Sequence, residues 1–336
     1  MNQLKILFAS SEVTPFAKTG GLADVSGSLP QALASLGHQV AVVTPLYRST
    51  REGKHEIQQH EKILSVPFKG QPLTAKVFLA SLEPGIPVYF IQRDEFFDRS
   101  GLYGTPDGDY IDNAERFIFF SRSILEWSKR LGYQPDIVHC HDWQTSLVPV
   151  YLKSIYRDDP QLKKARSVFT IHNLAYQGVF PKEIMPVSDL PPELFAIKGL
   201  EYYGKMNFMK GGILFSDKIT TVSERYAKEI QTSEFGYGLD GVLRDRSTDV
   251  FGILNGVDYT SWNPGTDPHI AANYDVKDLS GKQKCKEELV EIFGLQGVDK
   301  SPVVGMISRL ADQKGFDILA EAMEDLLKLD LCLVIL

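Results

Sequence analysis

The sequence predicts an α/β protein with two Rossmann-like domains, the first complete and the second only begun. Three features predict this class. Residues 4–9 and 39–44 are short apolar runs that flank a segment with apolar residues at helical spacing, as in a βαβ unit of a parallel sheet. The same alternation returns further along the chain. After a polar, proline-bearing stretch, residues 302–308 then begin a second pattern of this kind.

The first βαβ unit can be predicted element by element. Residues 4–9 form a buried strand, a polar loop with two glycines follows, and residues 22–36 form a helix. Gly37 suits the C-terminal end of that helix, since glycine readily adopts the left-handed conformation found there. Residues 39–44 (QVAVVT) form the second strand, which Pro45 ends.

Further strands are predicted from the same signal. Those of the parallel sheet are residues 136–140, 167–171 and 218–222, each followed by a loop and a candidate helix. Residues 63–68, 73–80 and 87–91 are typical of hairpin or meander strands inserted in the sheet. The aromatic side chains at 117, 119, 120 and 127 have helical spacing and predict a core-facing helix.

A domain boundary is predicted after residue 255. Residues 1–255 form the first domain, residues 256–300 a linker with a surface helix at 282–293, and residues 301–336 the start of a second domain. In that start, a strand at 302–308, a helix at 315–327 and a strand at 331–336 follow one another. A domain of about 36 residues cannot bury enough surface to be stable. We therefore expect the sequence to be a truncated form of a longer one.

Composition excludes several classes of function. The chain carries 36 basic and 43 acidic side chains, a net charge of -7, without a basic run, so nucleic acid and anionic membrane surfaces are poor partners. Its three cysteines are far apart and predict reduced thiols. The N-terminus lacks the pattern of a secretory signal, and no stretch approaches the ~20 apolar residues of a membrane span. These features predict a cytoplasmic protein.

The loop between the first strand and the first helix is a candidate ligand site. Residues 18–25 read KTGGLADV. Gly20 and Gly21 let the backbone approach a ligand, free N–H groups at a helix start attract an anion, and Lys18 adds a mobile charge. The alternative is a tight turn with a solvated lysine. The segment matches neither the P-loop nor GxGxxG.

The same segment resembles the signature of bacterial glycogen synthases and plant starch synthases, retaining glycosyltransferases with two Rossmann-like domains of the GT-B type. Other segments match this family in order, and the resemblance runs from Ile6 to the last residue. They are Glu12 with Pro15, then residues 141–143 (HDW), 170–178 (TIHNLAYQG), 221–223 (TVS), 252–258 (GILNGVD), 308–310 (SRL) and 313–315 (QKG).

His139 and His141 alternate onto one face of a predicted strand, which leaves a metal site open. We favour one buried and one loop histidine, because the sequence shows no third ligand cluster. The resemblance implies that Asp142 is a catalytic cleft residue and that Trp143 lies near the transferred sugar or the acceptor. It implies no metal and no cofactor.

The segment after the strand at 167–171 supplies further candidates. By itself, a lone histidine such as His172 is more often a core or supporting residue than a catalyst, and Asn173 could equally serve turn chemistry. The resemblance makes His172 a catalytic residue that contacts the donor sugar and Asn173 a donor-site residue. It also implies donor contacts for Lys18, Gly20, Gly21 and Asn255, and acceptor contacts for Asp24 and Tyr176.

Arg309 and Lys314 flank the first turn of the second predicted sheet, where a pyrophosphate would meet a helix N-terminus. From the residues, two surface cations are equally compatible. The resemblance implies that both bind the donor and stabilise the departing diphosphate. It further implies transfer of glucose from ADP-glucose to the non-reducing end of an α-1,4-glucan such as glycogen, with retention of configuration. Since the family's acidic residue and glycine-rich loop would follow Leu336, we expect negligible transferase activity from these 336 residues by themselves.

Three alternatives stay open. One is a UDP-glucose-dependent transferase of the same fold, and another is a glucan-binding fragment without catalysis. The third, a metal hydrolase built on His139 and His141, is the most distant. The Asp107–Asp109 DxD triplet lies in a glycine-rich loop and is rejected as a manganese site, and Tyr202 and Tyr203 either line an acceptor groove or pack.

Overall fold

The computed structural model describes residues 3–82, 85–298, 300–308, 310 and 314–336. The chain divides into two compact units, Met1–Asn255 and Gly256–Leu336. Arg309 and Gln313, which belong to the matched motifs, lie outside the described residues. In the described part of the chain, no helix combines the length and apolar character needed to cross a bilayer.

The strands alternate with helices along most of the chain. In chain order, the strands are β1 (Lys5–Ala9), β2 (Gln39–Pro45), β3 (Gln58–Gln59), β4 (Leu64–Phe68), β5 (Gln71–Leu82), β6 (Ile86–Gln92), β7 (Gly104–Thr105), β8 (Gly108–Asp109), β9 (Ile137–His141), β10 (Arg166–Ile171), β11 (Val179–Pro181), β12 (Glu201–Tyr202), β13 (Lys205–Asn207), β14 (Lys218–Thr221), β15 (Val250–Gly252), β16 (Val303–Met306) and β17 (Cys332–Ile335).

The helices have the following bounds. They are α1 (Gly21–Ser35), α2 (Arg48–Glu52), α3 (Asp94–Phe97), α4 (Asn113–Leu131), α5 (Asp142–Thr145), α6 (Leu147–Lys153), α7 (Phe208–Phe215), α8 (Glu224–Glu229), α9 (Asp240–Asp245), α10 (Ser280–Ile292) and α11 (Phe316–Leu326). Short 3-10 helices cover Lys182–Ser188, Pro192–Leu194 and Ser247–Asp249.

One large sheet organises the first unit. Among the described residues it has ten strands, in the order β15-β14-β10-β9-β1-β2-β6-β5-β3, with β4 paired to β5. From β15 to β6 the neighbouring strands are parallel, whereas β5 runs antiparallel to β6. The predicted parallel sheet and the inserted meander at β4–β6 are confirmed. Strands β1 and β2 are buried almost throughout because helices cover both faces of such a sheet.

The strand order reverses at β1. The chain moves from β1 to β2 on one side, and β9 returns to pair with β1 on the other side. In open α/β sheets, ligands bind outside the carboxyl ends of the strands at such a reversal. The loops after β1 and β9 therefore mark the place to look for a site in the first unit.

Helix α4 forms the centre of the apolar core beside the sheet. Its aromatic side chains Phe117, Phe119, Phe120 and Trp127 are fully buried, as their helical spacing predicted. Gly132 ends the helix with φ +72, a left-handed conformation that favours glycine. Gly37 follows Leu36, the residue that caps α1, and has φ +91, which confirms its predicted role at the end of that helix.

The second unit contains a small strand–helix–strand arrangement. β16 and β17 pair in parallel, with α11 between them in sequence, as predicted for the start of a second sheet. Helix α10 covers the predicted surface helix. That this unit begins a nucleotide-sugar-binding domain stays a prediction.

Candidate active site

The candidate residues of the first unit gather where the sheet topology predicts a site. Strands β9 and β10 pair in register, so that Thr170 lies opposite His141. His172 follows β10 directly, and Asp142 follows β9. Because the carboxyl ends of parallel strands share one edge of the sheet, residues thirty positions apart in sequence meet there.

Three histidines form a row at this edge. The rings of His139 and His141 lie 4.2 Å apart between centroids, with Phe8 4.3 Å from the His141 ring. His141 Nδ1 lies 3.0 Å from His172 Nε2. His139 Nε2 lies 2.7 Å from the hydroxyl of Thr170. Strand β9 extends through His141, so both histidines belong to the strand, and the expectation of one loop histidine was wrong.

Burial determines the charge of two of these rings. It lowers the pKa of His139 to about 3 and that of His141 well below the usual range, with the neighbouring histidines adding to the effect. Both rings are therefore neutral at physiological pH. A neutral histidine carries one N–H, so the tautomer of His141 decides what it offers to His172.

The surroundings of His141 favour one tautomer. Its Nε2 is buried and has no hydrogen-bond partner among the described residues. An orphaned buried N–H costs more than an orphaned lone pair, so the proton belongs on Nδ1, from which it is donated to His172 Nε2. With Nε2 accepting, His172 carries its own proton on Nδ1 and can donate it to a ligand hydroxyl.

Asp142 fixes the backbone that carries His172. It adopts φ +54, a left-handed conformation that aspartate tolerates better than most residues. Its Oδ1 accepts a 2.7 Å hydrogen bond from the His172 backbone N–H, and the backbone N–H of Asn173 also contributes. Burial raises the pKa of this carboxyl despite these donors. The geometry supports a positioning role for Asp142, while direct catalysis by it stays a prediction.

The turn after His172 is built by Asn173. Its side-chain oxygen accepts a 3.0 Å hydrogen bond from the backbone N–H of Ala175, which is the turn chemistry that the sequence left open. The N–H of Leu174 donates to the hydroxyl of Tyr226 at 3.0 Å. Tyr176 is exposed at this turn. Its ring is therefore accessible, and its contact with an acceptor stays a prediction.

Glu12 organises the glycine loop between β1 and α1. This carboxylate is 3% exposed and accepts hydrogen bonds from the Thr19 hydroxyl at 2.7 Å and from the Gly20 N–H at 3.3 Å. It also accepts from the Thr19 N–H at 2.5 Å and from the hydroxyl of Tyr103 at 2.7 Å. The expectation that the loop's N–H groups are free for an anion is thus wrong for Thr19 and Gly20, because a carboxylate of the chain already binds them.

The rest of the loop keeps room for a ligand. A side chain built at Gly20 or Gly21 would meet no atom within 4 Å, so open space adjoins both glycines. Lys18 Nζ forms a 2.7 Å ion pair with Asp24 Oδ1, and both side chains are about half exposed. The predicted donor lysine and acceptor aspartate therefore neutralise each other in this structure.

Trp143 packs beneath the turn that follows His172. Its indole is 8% exposed, and its ring centroid lies 4.9 Å from that of Phe117 and 5.6 Å from that of Phe180. A side chain at Gly178, where φ is +61, would approach its ring to 2.4 Å. The structure thus gives Trp143 a packing role under the turn at Gly178, and its contact with the sugar or the acceptor stays a prediction.

Two candidates remain, one in each unit. Asn255 is exposed at the end of the first unit. Lys314 is exposed in the second unit, directly before Gly315 and α11. Within the described residues, no group of His, Cys, Asp and Glu side chains has the arrangement of a metal site. Asp107 and Asp109 are exposed on the β7–β8 hairpin.

Sequence reasoning missed three contributions to the site. His141 was considered as a possible metal ligand and not as the partner of His172. Its position at the end of a strand could have suggested the pairing. Glu12 was noticed as part of a motif without a function. Tyr103 gave no signal, since its contact with Glu12 joins residues 91 positions apart.

Comparison with known proteins gives one consistent result. The family model described as starch synthase catalytic domain matches residues 5–245. A glycogen synthase of Koribacter versatilis is 50% identical over 333 residues, which cover 99% of this chain and 68% of the relative. Glycogen synthase 2 of Geobacter sulfurreducens is 47% identical over 334 residues, covering 99% and 69%.

A solved structure agrees with these relatives. The catalytic domain of starch synthase IV from Arabidopsis thaliana, bound to ADP and acarbose, superposes with a TM-score of 0.91. It is 36% identical, and the match covers 100% of this chain and 68% of that one.

Proposed function

Because the chain belongs to the glycogen and starch synthase family, whose members are glucosyltransferases, we propose that its donor is ADP-glucose and its acceptor an α-1,4-glucan. Glucose would pass to the 4-hydroxyl at the non-reducing end of the acceptor. The bond from the anomeric carbon to the diphosphate breaks, and the new bond to the acceptor oxygen forms with the same anomeric configuration. The O–H bond of the acceptor breaks, and its proton leaves with the departing ADP.

The observation that carries this proposal is the His141–His172 pair at the strand reversal. A neutral His172 with its proton on Nδ1 is a hydrogen-bond donor for a sugar hydroxyl. Its backbone is held by Asp142 and its tautomer by His141. The ADP and acarbose bound to the Arabidopsis relative are a nucleotide and a sugar analogue, in line with such a site.

Cationic side chains would stabilise the negative charge of the leaving group. As the anomeric bond breaks, negative charge builds on the diphosphate, and one preorganised donor is commonly worth about 3 kcal/mol there. We assign this role to Arg309 and Lys314 in the second unit and to Lys18 in the first. Release of Lys18 from Asp24 by an arriving diphosphate would free both side chains, one for the donor and one for the acceptor.

The test compares two proteins. One is the 336-residue chain, and the other is a chimera in which the residues of the Koribacter versatilis relative that lie outside the matched segment follow Leu336. Both receive radiolabelled ADP-glucose or UDP-glucose with glycogen. We expect incorporation by the chimera, with ADP-glucose preferred, a product that α-amylase digests, and negligible incorporation by the chain itself.

The matched variant is His172→Ala in the chimera. Loss of one positioned donor predicts a fall in kcat/KM of about 100- to 1,000-fold, with the circular dichroism spectrum unchanged. A preference for UDP-glucose would contradict the donor assignment, and an amylase-resistant product would contradict the linkage. Glycogen binding without incorporation by either protein would favour the non-catalytic alternative.

A further inference from the structure

Two exposed tyrosines of the first unit have an unfavourable backbone conformation. Tyr203 has φ +49 and Tyr237 has φ +47, in the left-handed region that bulky side chains rarely adopt. Each is followed by a glycine that is also left-handed, Gly204 with φ +77 and Gly238 with φ +76. Tyr203 is 83% exposed and Tyr237 is 53% exposed. Core packing therefore does not explain why an aromatic residue stands at either position.

The turn at Tyr203 shows why this backbone conformation is unfavourable for a tyrosine. Tyr203 and Gly204 are the two central residues of the hairpin between β12 and β13. Two-residue hairpins with both central φ values positive strongly prefer asparagine, aspartate or glycine at the first position. A tyrosine there, with its ring in solvent, is a strained feature of the kind found at ligand sites.

The two tyrosine turns are tied together. The backbone carbonyl of Tyr237 accepts a 2.8 Å hydrogen bond from the Tyr202 hydroxyl and a 3.0 Å bond from Gln177 Nε2. The rings of Tyr202 and Tyr203 meet edge to face at 4.7 Å. A side chain at Gly238 would approach the Tyr202 hydroxyl to 2.3 Å, so the close contact requires glycine. The two turns thus present one preformed surface.

This surface is linked to the candidate active site through the chain at Gln177. Gln177 is itself buried and is held by a 2.7 Å hydrogen bond from Asn207 Nδ2. It lies five residues after His172, a distance that a peptide chain spans in at most ~18 Å. The exposed ring of Tyr176 lies between them in sequence. A ligand longer than one sugar unit could therefore extend from His172 towards the tyrosine turns.

We propose that Tyr203 and Tyr237 form an aromatic platform that binds the acceptor glucan beyond its reacting end. Sugar rings present apolar C–H faces with hydroxyl groups at their edges, and exposed tyrosines offer rigid, amphipathic contact area at little entropic cost. The identity of the occupant as an α-1,4-glucan rests on the proposed function. The platform gives acceptor affinity without touching the reacting atoms.

The first experiment measures binding of maltoheptaose and glycogen to the 336-residue chain by calorimetry and affinity electrophoresis. Tyr203→Ala and Tyr237→Ala should each weaken binding about fivefold, and the double variant more strongly. Tyr203→Phe and Tyr237→Phe should keep the affinity, because stacking needs the ring and not the hydroxyl. Leu36→Ala removes an exposed apolar side chain at the opposite edge of the sheet and should change nothing.

A second variant separates binding from folding. Tyr203→Asn places a favoured residue in the hairpin turn, so it should raise Tm by about 2 °C while weakening glucan binding as much as Tyr203→Ala does. Loss of affinity together with a gain in stability cannot come from misfolding.

The outcomes distinguish the two proposals. Unchanged glucan affinity in both alanine variants, with a wild type that binds, would overturn the platform and leave the proposed function intact. No incorporation of glucose by the chimera and no glucan binding by the wild type would overturn both. A fall in affinity confined to the alanine and asparagine variants supports the platform.

Discussion

His139 and His141 show how the site sets the protonation of single residues. Burial keeps both rings neutral, and that neutrality allows His141 to donate from Nδ1 to His172. The nearby titratable groups are His172 and Asp142. Keeping histidines neutral has a consequence for stability, because the unfolded chain is free to protonate them.

The sign of this linkage predicts that the folded chain becomes less stable in acid. Both folded pKa values lie below the unfolded value of 6.5, so the unfolded state binds more protons as pH falls below 6.5, and stability decreases from there down to the folded pKa. Between pH 7.5 and 5.5, protonation of His139 in the unfolded chain should lower the unfolding free energy by about 1.4 kcal/mol, and His141 should add a loss of the same sign.

The measurement is urea unfolding at both pH values, followed by tryptophan fluorescence. The unfolding free energy of His139→Gln should fall by about 1.4 kcal/mol less than that of the wild type over this interval. The exposed His269→Gln serves as the control and should leave the pH dependence unchanged. An identical pH dependence in His139→Gln and wild type would contradict the neutral-histidine assignment.

Helix α7 illustrates how an element is constrained by its packing. Its Gly211 and Gly212 look unfavourable by helix propensity. A side chain at Gly212, however, would lie 2.7 Å from the ring of Phe169, which is fully buried in β10, and 2.9 Å from Cβ of Ser146. The glycines let α7 lie close against the sheet beneath the candidate site.

Gly212→Ala should therefore destabilise the chain although alanine favours helices. The higher helix propensity of alanine contributes about 1 kcal/mol. Overpacking against the buried ring costs roughly 1–3 kcal/mol or more. We expect a net loss of about 1 kcal/mol in urea unfolding. Gly241→Ala in α9 is the matched control, since the nearest atom there is Arg244 Nη2 at 3.9 Å, and it should be neutral or slightly stabilising. Equal effects of both substitutions would contradict the packing argument.

At the scale of the whole molecule, the two units differ in how much they bury. The first unit contains extensive clusters of buried apolar side chains around its main sheet. In the described part of the second unit, Val298 and Val334 are the buried apolar side chains, and α11 has none. A two-stranded sheet with so little apolar burial contributes little stability.

Native-state hydrogen exchange should therefore separate the units. Amides of α11, β16 and β17 should exchange about a thousandfold faster than those of β1, β9 and β10, because local opening follows the density of buried contacts. Mass spectrometry of peptic peptides at pH 7 measures both in one sample. Equal protection of the two groups would contradict the weaker packing of the second unit.

The sequence by itself determined the elements and the family. Apolar runs and glycine positions predicted the βαβ start, the meander and α4 because they report on burial along the local chain. The motifs predicted membership of the glycogen and starch synthases, and the turn residues 172–176 were correctly placed at a strand end. These are local signals, which a linear pattern carries well.

Only the tertiary structure decided which side chains meet. The pairing of His141 with His172, the binding of Glu12 by Tyr103 and Thr19, and the burial of Trp143 depend on strand order and helix placement. The two tyrosine turns join through contacts between residues 35 and 60 positions apart. Such contacts arise from packing between distant segments, and local periodicity does not specify which segments become neighbours.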